Sequence, residues 1–500
     1  MNHGISLEEL EARIRDVSLD ADPEAMRRDG YRVIDWLVER VTRLRASSLG
    51  NELRREETEK LLREAMPEQA SGFERAFEEY VSKVAPNAIH LDHPRFFAFI
   101  PSAPSFASVL ADALVAGTNV FAGTWLESSG PSQVELVVID WFKQMLGLPE
   151  QAAGLLVSGG SVANLTALAV ARRVALNDLV ANAVVYLSDQ THASVDRALR
   201  ILGFAPRQLH RVATDSGYRL NPRDLELQVG RDREKGLRPF AVVASAGTTN
   251  TGAVDPLAEV AEVASRNRLW FHVDAAYGGF AALTEQGRRL LAGIERADSV
   301  VLDPHKWFYC PFEAGCAIVR DGGRMRETFR ILPDYMRDVA REEQEVNFCD
   351  YGVQLTRSFR ALKVWMAVKT YGAARLREVI DQCLDLADYA SRLVAGSPCL
   401  ELVTGPTLGV FTFRYVPPSF SKSAPNAEDF LNRLNQDLVA RIIAGRRLML
   451  SSTWLGPRHV LRFCVLNHRA RKDDVREALK LIEESGRESE ADVASLRTPL

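Results

Sequence analysis

Apolar side chains recur at three- and four-residue steps between Asp22 and Ala46 (Met26, Val33, Ile34, Leu37, Val41, Leu44). They lie behind an Asp at the capping position and Pro23 at the first helical one, which predicts an amphipathic helix. Residues 51–85 keep a helical, strongly charged character, so 1–85 reads as a helical arm ahead of the main domain. The period then changes. A helix over Pro131–Leu146, closed by Gly147 and Pro149, is followed by a second that opens after Ser158-Gly159-Gly160-Ser161. Short, continuous apolar runs come next, at 183–187, 240–244, 269–273, 299–302 and 316–319, separated by helical stretches such as 257–268. Continuous rather than alternating runs between helices predict a buried, mostly parallel sheet covered on both faces, the α/β class. Ligands of such sheets gather at the carboxyl ends of the strands, which makes the residue after each run the one that could carry chemistry.

The predicted large domain spans 86–375 and a smaller α+β unit spans 376–485. After Phe329 the chain is charged and irregular, and composition alone predicts a solvated loop there. The tail over 486–500 is predicted to be disordered.

Composition narrows the picture by exclusion. With 62 Lys and Arg against 66 Asp and Glu, the net charge is −4, and 46% of the residues are hydrophobic, which excludes a mainly disordered chain. No basic run interleaved with aromatics is present, so no nucleic-acid partner is expected. The six cysteines lie in the second half without a Cys-x-x-Cys pair, which predicts no zinc site and a reducing compartment. The opening Met-Asn-His-Gly-Ile-Ser-Leu-Glu-Glu-Leu-Glu has acids where an export leader needs a basic and then an apolar stretch. The longest mostly apolar stretch, 109–123, holds Asp112 and Asn119 and falls short of the ~20 residues that cross a bilayer. A cytoplasmic protein with no membrane partner is expected.

Four strand–loop units carry candidate chemistry. Ser158-Gly159-Gly160-Ser161 offers free backbone N–H groups at a helix start, where an anion is favoured, although a glycine turn with a serine cap has the same sequence. His192 follows the 183–187 run, Asp274 closes Leu269-Trp270-Phe271-His272-Val273, and Lys306 follows Ser299-Val300-Val301-Leu302 by four residues. A phosphate cradle, an aromatic ring, an acid and a lysine are together the parts that hold pyridoxal phosphate. Lys306 can join the cofactor aldehyde as a Schiff base once its amine has lost a proton, a loss that desolvation favours. Asp274 can hold the pyridine nitrogen protonated; at ~4 Å and an effective dielectric near 20 such a pair interacts by roughly 4 kcal/mol. Ala276 leaves room for the ring, and His192 can stack on its other face.

His-Val-Asp-Ala-Ala-Tyr-Gly-Gly at 272–279 and Asp-Pro-His-Lys-Trp at 303–307 resemble the pyridoxal-phosphate group II amino-acid decarboxylases, most nearly the aromatic-L-amino-acid branch. His-Pro-Arg-Phe-Phe-Ala-Phe at 93–99 and Ser-Phe-Arg-Ala-Leu-Lys at 358–363 extend the resemblance over nearly the whole chain. It implies the aspartate-aminotransferase-like fold (fold type I), with Lys306 as the Schiff-base lysine and Asp274 as the partner of the ring nitrogen. It also implies that Gly160, Ser161, Thr249, Asp303 and His305 surround the phosphate and ring, and that His192 both stacks and touches the substrate carboxylate. Ile331-Leu332-Pro333-Asp334-Tyr335 matches that family's mobile catalytic loop, which reverses the composition-based reading of 330–347 and makes Tyr335 the proton donor to Cα. A homodimer with shared active sites is implied as well, the 1–85 arm wrapping the partner.

For the substrate, Phe99 and Ser102 fall in the segment that lines the family's pocket, near Phe121 and Trp125. Thr356 stands where some relatives have Gly, and Gly123 stands where relatives often have an aromatic residue; the first narrows space and the second is expected to open it. The expected reaction is decarboxylation of an aromatic or large apolar L-amino acid to the amine and carbon dioxide, a phenolic side chain being preferred to an indole. An aldehyde-forming enzyme, or a decarboxylase of acidic amino acids of the glutamate or sulfinoalanine type, is the alternative.

Overall fold

The structure, a computed structural model, describes residues 5–331, 344–421, 423 and 426–495. It divides into two compact units, one ending at Ile89 and one beginning at His90, so the arm extends four residues past the expected boundary. In the first unit the helix Pro23–Arg43 starts where predicted. Asp22 accepts from the backbone N–H groups of Glu24 and Ala25 at 3.0 and 3.1 Å, satisfying two donors the helix cannot. Trp36 meets Phe77 and Tyr80 edge-on at 6.2 and 5.6 Å, and Arg32 pairs with Glu74 at 2.5 Å.

Among the described residues, the second unit is built on a seven-stranded sheet of β1 (Ala153–Val157), β2 (Ala183–Ser188), β3 (Leu209–Val212), β4 (Arg238–Ser245), β5 (Trp270–Asp274), β6 (Ser299–Leu302) and β7 (Gly315–Val319), in the order β1-β7-β6-β5-β4-β2-β3. The pairs from β3 through β2, β4 and β5 to β6 are parallel, and β7 runs antiparallel to both β6 and β1. All six residues of β2 and all five of β7 are buried, as continuous apolar runs require. Burying each Val or Leu there stabilises the fold by roughly 1.5–3 kcal/mol.

Two strands were not legible. β1 contains Gly154, which reads as a turn; a side chain there would lie 2.5 Å from the Ala317 carbonyl of β7, so the strand needs its glycine. β3 is an edge strand of Leu-His-Arg-Val, too short and polar for a period to show.

A second sheet, β8 (Leu400–Thr407), β9 (Val410–Tyr415), β10 (Ser451–Leu455) and β11 (Arg458–Cys464), is antiparallel in the order β10-β11-β9-β8. The expected boundary at 375 lies inside the helix Ala361–Gly396, three residues past a break at Gly372 (φ 73°, ψ 156°). Over 486–495 the structure differs from the expected disordered tail, since a helix, Lys472–Ser495, continues through Gly486, while 496–500 lie outside the described residues. Gly486 packs so closely on Tyr415 that a Cβ would fall 2.3 Å from the ring, and Tyr415 donates to Glu490 at 3.3 Å. Docking against this tyrosine holds a charged stretch that composition alone reads as unstructured. Among the described residues no helix is long and apolar enough to cross a membrane, and no cluster of three His, Cys, Asp or Glu side chains could hold a metal ion.

Candidate active site

Five strand ends converge on one cavity of about 340 Å³. β1 hands over to Ser158 and Gly159, and the helix Gly160–Leu176 begins there with its N-terminus at the cavity wall. β2 leads to His192, which caps the helix Ala193–Ile201 by accepting from the Ser194 backbone N–H at 3.2 Å. β4 supplies Gly247, Thr248 and Thr249, β5 ends on Asp274, and β6 is followed by Asp303, His305 and Lys306. Gly247 is required where it stands: its φ is +106°, and a Cβ would lie 2.5 Å from the Tyr277 ring.

The charges are arranged in a tight cluster. The Lys306 amine lies 2.9 Å from Asp303 Oδ2, and His305 Nε2 approaches the same oxygen at 3.7 Å. Burial alone would push Lys306 down, but the carboxylates of Asp303 and Asp274 outweigh it and hold the ammonium above the ordinary lysine value. This departs from the sequence expectation that desolvation would favour proton loss, because the sequence did not reveal how close Asp303 lies. Burial depresses both His192 and His305 below the usual histidine value and keeps these rings neutral near pH 7. Asp274, 8% exposed, accepts from the Asn164 side-chain amide at 3.0 Å and from the Ala276 backbone N–H at 3.2 Å.

These residues fit pyridoxal phosphate. Asp303 Oδ1 is buried without a hydrogen-bond partner. Side chains at Gly159 and Gly160 would fill the floor, with a Cβ at 159 lying 3.0 Å from the His305 ring and one at 160 lying 2.8 Å from Asp303 Oδ2. A helix N-terminus that could take a phosphate, an acid that could pair with a ring nitrogen and an amine that could join an aldehyde border a single space.

Gly160, Ser161, His192, Thr249, Asp274, Ala276, Asp303, His305 and Lys306 all line this cavity. Phe99 and Ser102 do not: Phe99 is 54% exposed with its backbone N–H bonded to Ser451 Oγ at 3.1 Å, and Ser102 is buried elsewhere. Tyr335 lies outside the described residues. Gly123 does not open space. The Phe121 ring occupies it, 2.5 Å from where a Cβ would stand. Sequence reasoning gave no role to Asn164, Ser194, Tyr277 or Glu313, which also border the cavity. A signal for the first existed: an asparagine amid Val162, Ala163, Leu165 and Ala167 in a helix that must pack on a sheet is a buried polar group that needs partners.

Residues 55–416 match the family described as the pyridoxal-dependent decarboxylase conserved domain. The chain is 41% identical to an aromatic-L-amino-acid decarboxylase of Bacillus atrophaeus over 92% of its length and 95% of the relative's. It is 32% identical to a phenylacetaldehyde synthase of Arabidopsis thaliana, over 93% of this chain and 96% of that one. Among solved structures, Oryza sativa TDC with PLP and tryptamine superposes with a TM-score of 0.89 at 30% identity, covering 94% of this chain and 99% of that one. A fold-wide match and a cavity with the right amine, acid and phosphate cradle lead to the same conclusion: the chain belongs to the pyridoxal-dependent decarboxylase family and is a pyridoxal-phosphate-dependent carboxy-lyase acting on amino acids.

Proposed function

We propose that this enzyme removes the α-carboxylate of an aromatic L-amino acid to release the amine and carbon dioxide. The observation that carries the reading is the convergence of Lys306, Asp274 and His192 on one cavity. When bound, pyridoxal phosphate supplies the electron sink for the bond pair left at Cα as carbon dioxide departs. Lys306 holds the cofactor through its amine, and the Asp274 carboxylate keeps a proton at the ring nitrogen. The backbone N–H groups at Gly160 and Ser161, with Thr249, take the phosphate. His192, a neutral donor, orients the substrate carboxylate, and the Tyr335 hydroxyl delivers the proton to Cα.

The aromatic class rests on the names of the relatives, one an aromatic-L-amino-acid decarboxylase and one crystallised with tryptamine. A phenylacetaldehyde synthase also stands among them. Tyr335, the proton donor by resemblance, favours the amine. A homodimer fits the first unit, which leaves Tyr31, Phe73 and Tyr80 at least 45% exposed, and sedimentation velocity tests it.

Purified protein supplied with pyridoxal phosphate is assayed for carbon dioxide across the twenty amino acids and dihydroxyphenylalanine. Release with aromatic substrates, matched by amine and lost in Lys306→Ala, is expected. Release with glutamate alone, or aldehyde accompanied by hydrogen peroxide, would overturn the reading.

A further inference from the structure

Asn164 sits in the first turns of the helix Gly160–Leu176 with no exposed surface. A buried amide costs stability unless its donors and acceptor are all met, and here they are. Its Nδ2 donates to Asp274 Oδ2 and to Ser194 Oγ, both at 3.0 Å, and its Oδ1 lies 2.8 Å from His272 Nε2. The amide orientation is fixed, because the Asp274 carboxylate oxygen only accepts. His272 Nε2 must then carry a proton.

Burial pushes His272 down to about 4, so its ring is neutral and its Nδ1 accepts, from Ser299 Oγ at 2.8 Å. Ser299 in turn accepts from the Trp270 indole N–H at 2.8 Å. On the cavity side, Ser194 Oγ, having accepted from Asn164, gives its own proton to His192 Nδ1 at 2.8 Å. The Ser194 backbone N–H points at the same nitrogen from 3.2 Å, so a proton on Nδ1 would meet it head-on. A neutral His192 therefore keeps its proton on Nε2.

We propose that Asn164 is a positioning residue whose one amide sets the hydrogen-bonding sense of both groups facing the cofactor, holding Asp274 as an acceptor and His192 as the Nε2–H tautomer. The chain of donors runs one way, from Trp270 through Ser299 and His272 to Asn164, and there divides toward Asp274 and toward Ser194 and His192. This rests on the reading that Asp274 serves the ring nitrogen and His192 the substrate.

The first test needs no cofactor. A long-range nitrogen–proton spectrum of histidine-labelled apoprotein near pH 7.5, with signals assigned through His192→Gln and His272→Gln, is expected to show both rings neutral and protonated on Nε2. A proton on Nδ1 of His192 overturns the proposal. The second test is Asn164→Asp, which keeps the shape and exchanges the donor for an acceptor. Its affinity for pyridoxal phosphate, followed by fluorescence titration, is expected to fall about tenfold or more, and the His192 signal to leave the Nε2–H position. A variant that melts like the parent and keeps both affinity and spectrum overturns it. If Asn164→Asp does not fold, Ser194→Ala stands in: loss of the hydroxyl is expected to mix the His192 tautomers and raise KM more than it lowers kcat, and unchanged values overturn the proposal. Parent protein that takes up no pyridoxal phosphate defeats the functional reading, while the apoprotein spectrum still decides the sense of the chain.

Discussion

Asp303 and Lys306, one turn apart, face each other at 2.9 Å, and the second oxygen of Asp303 is buried with no donor of its own. The pair keeps the amine charged in the cofactor-free protein. Only the neutral amine attacks an aldehyde, so covalent capture of pyridoxal phosphate should quicken as pH rises. Asp303→Asn removes one of the two carboxylates and should move that pH profile to lower pH. Stopped-flow absorbance of apoprotein mixed with the cofactor measures it, and an unmoved profile would contradict the pairing.

Arg357 and Glu135, both fully buried, are joined at 2.5 Å. Arg357 also donates to the carbonyls of Ala122 and Leu156 at 2.7 and 2.8 Å, tying the strand β1 to the chain around residue 122. Arg357→Met leaves the buried Glu135 without its cation, with the Leu156 backbone N–H still donating to it at 2.7 Å, and urea unfolding should show a loss of about 3–5 kcal/mol. The double variant Arg357→Met, Glu135→Leu should recover most of it. If the double variant were no better than the single one, the loss would come from packing rather than from the missing partner of Glu135.

The folded enzyme should weaken in acid partly through His272. Its folded value is about 4 because of burial, against ~6.5 in an unfolded chain, so the unfolded state protonates first. The stability carried by the neutral ring is whole above pH ~6.5 and is lost toward pH 4, on the order of 3 kcal/mol in all. Asp255 opposes this. Burial lifts it to about 6 even though the backbone N–H groups of Ser245 and Leu220 donate to it, so through this group acid below pH 6 favours the fold. Subtracting unfolding curves of His272→Asn from the parent isolates the histidine, and the difference should shrink between pH 6 and 4. A constant difference would refute the assignment.

Gly123→Ala should destabilise by about 1–3 kcal/mol, since the added carbon would lie 2.5 Å from the Phe121 ring and 2.7 Å from the Leu355 carbonyl. Pairing it with Phe121→Ala should relieve the ring clash and restore part of the loss in a thermal melt. An alanine at 123 that costs nothing alone would mean that this wall is soft.

Strand ends were legible because a parallel sheet writes them as apolar runs stopped by polar residues; Asp274 and Lys306 stand where such runs stop. The other residues expected around the cofactor line the same cavity. What escaped has a common cause: it depends on contacts between distant segments. Asn164 meets Asp274 across 110 positions, and Phe121 closes the gap at Gly123 by a turn no spacing records. The tail helix likewise depends on Tyr415, about seventy positions upstream of Gly486.

Tyr277 stacks on Trp307 at 5.4 Å, and its hydroxyl accepts from the Gly409 backbone N–H at 2.8 Å, at the turn between β8 and β9. Tyr277, three positions after the acid of the cavity and stacked on the neighbour of its lysine, thus leans on chain that is made more than a hundred positions later. A ribosome that has released only the first 400 residues has delivered every residue that lines the cavity and still lacks the piece that fixes Tyr277. The cavity wall is therefore completed only by late-made chain, and a version ending before β9 would lack the Gly409 N–H that holds the Tyr277 hydroxyl.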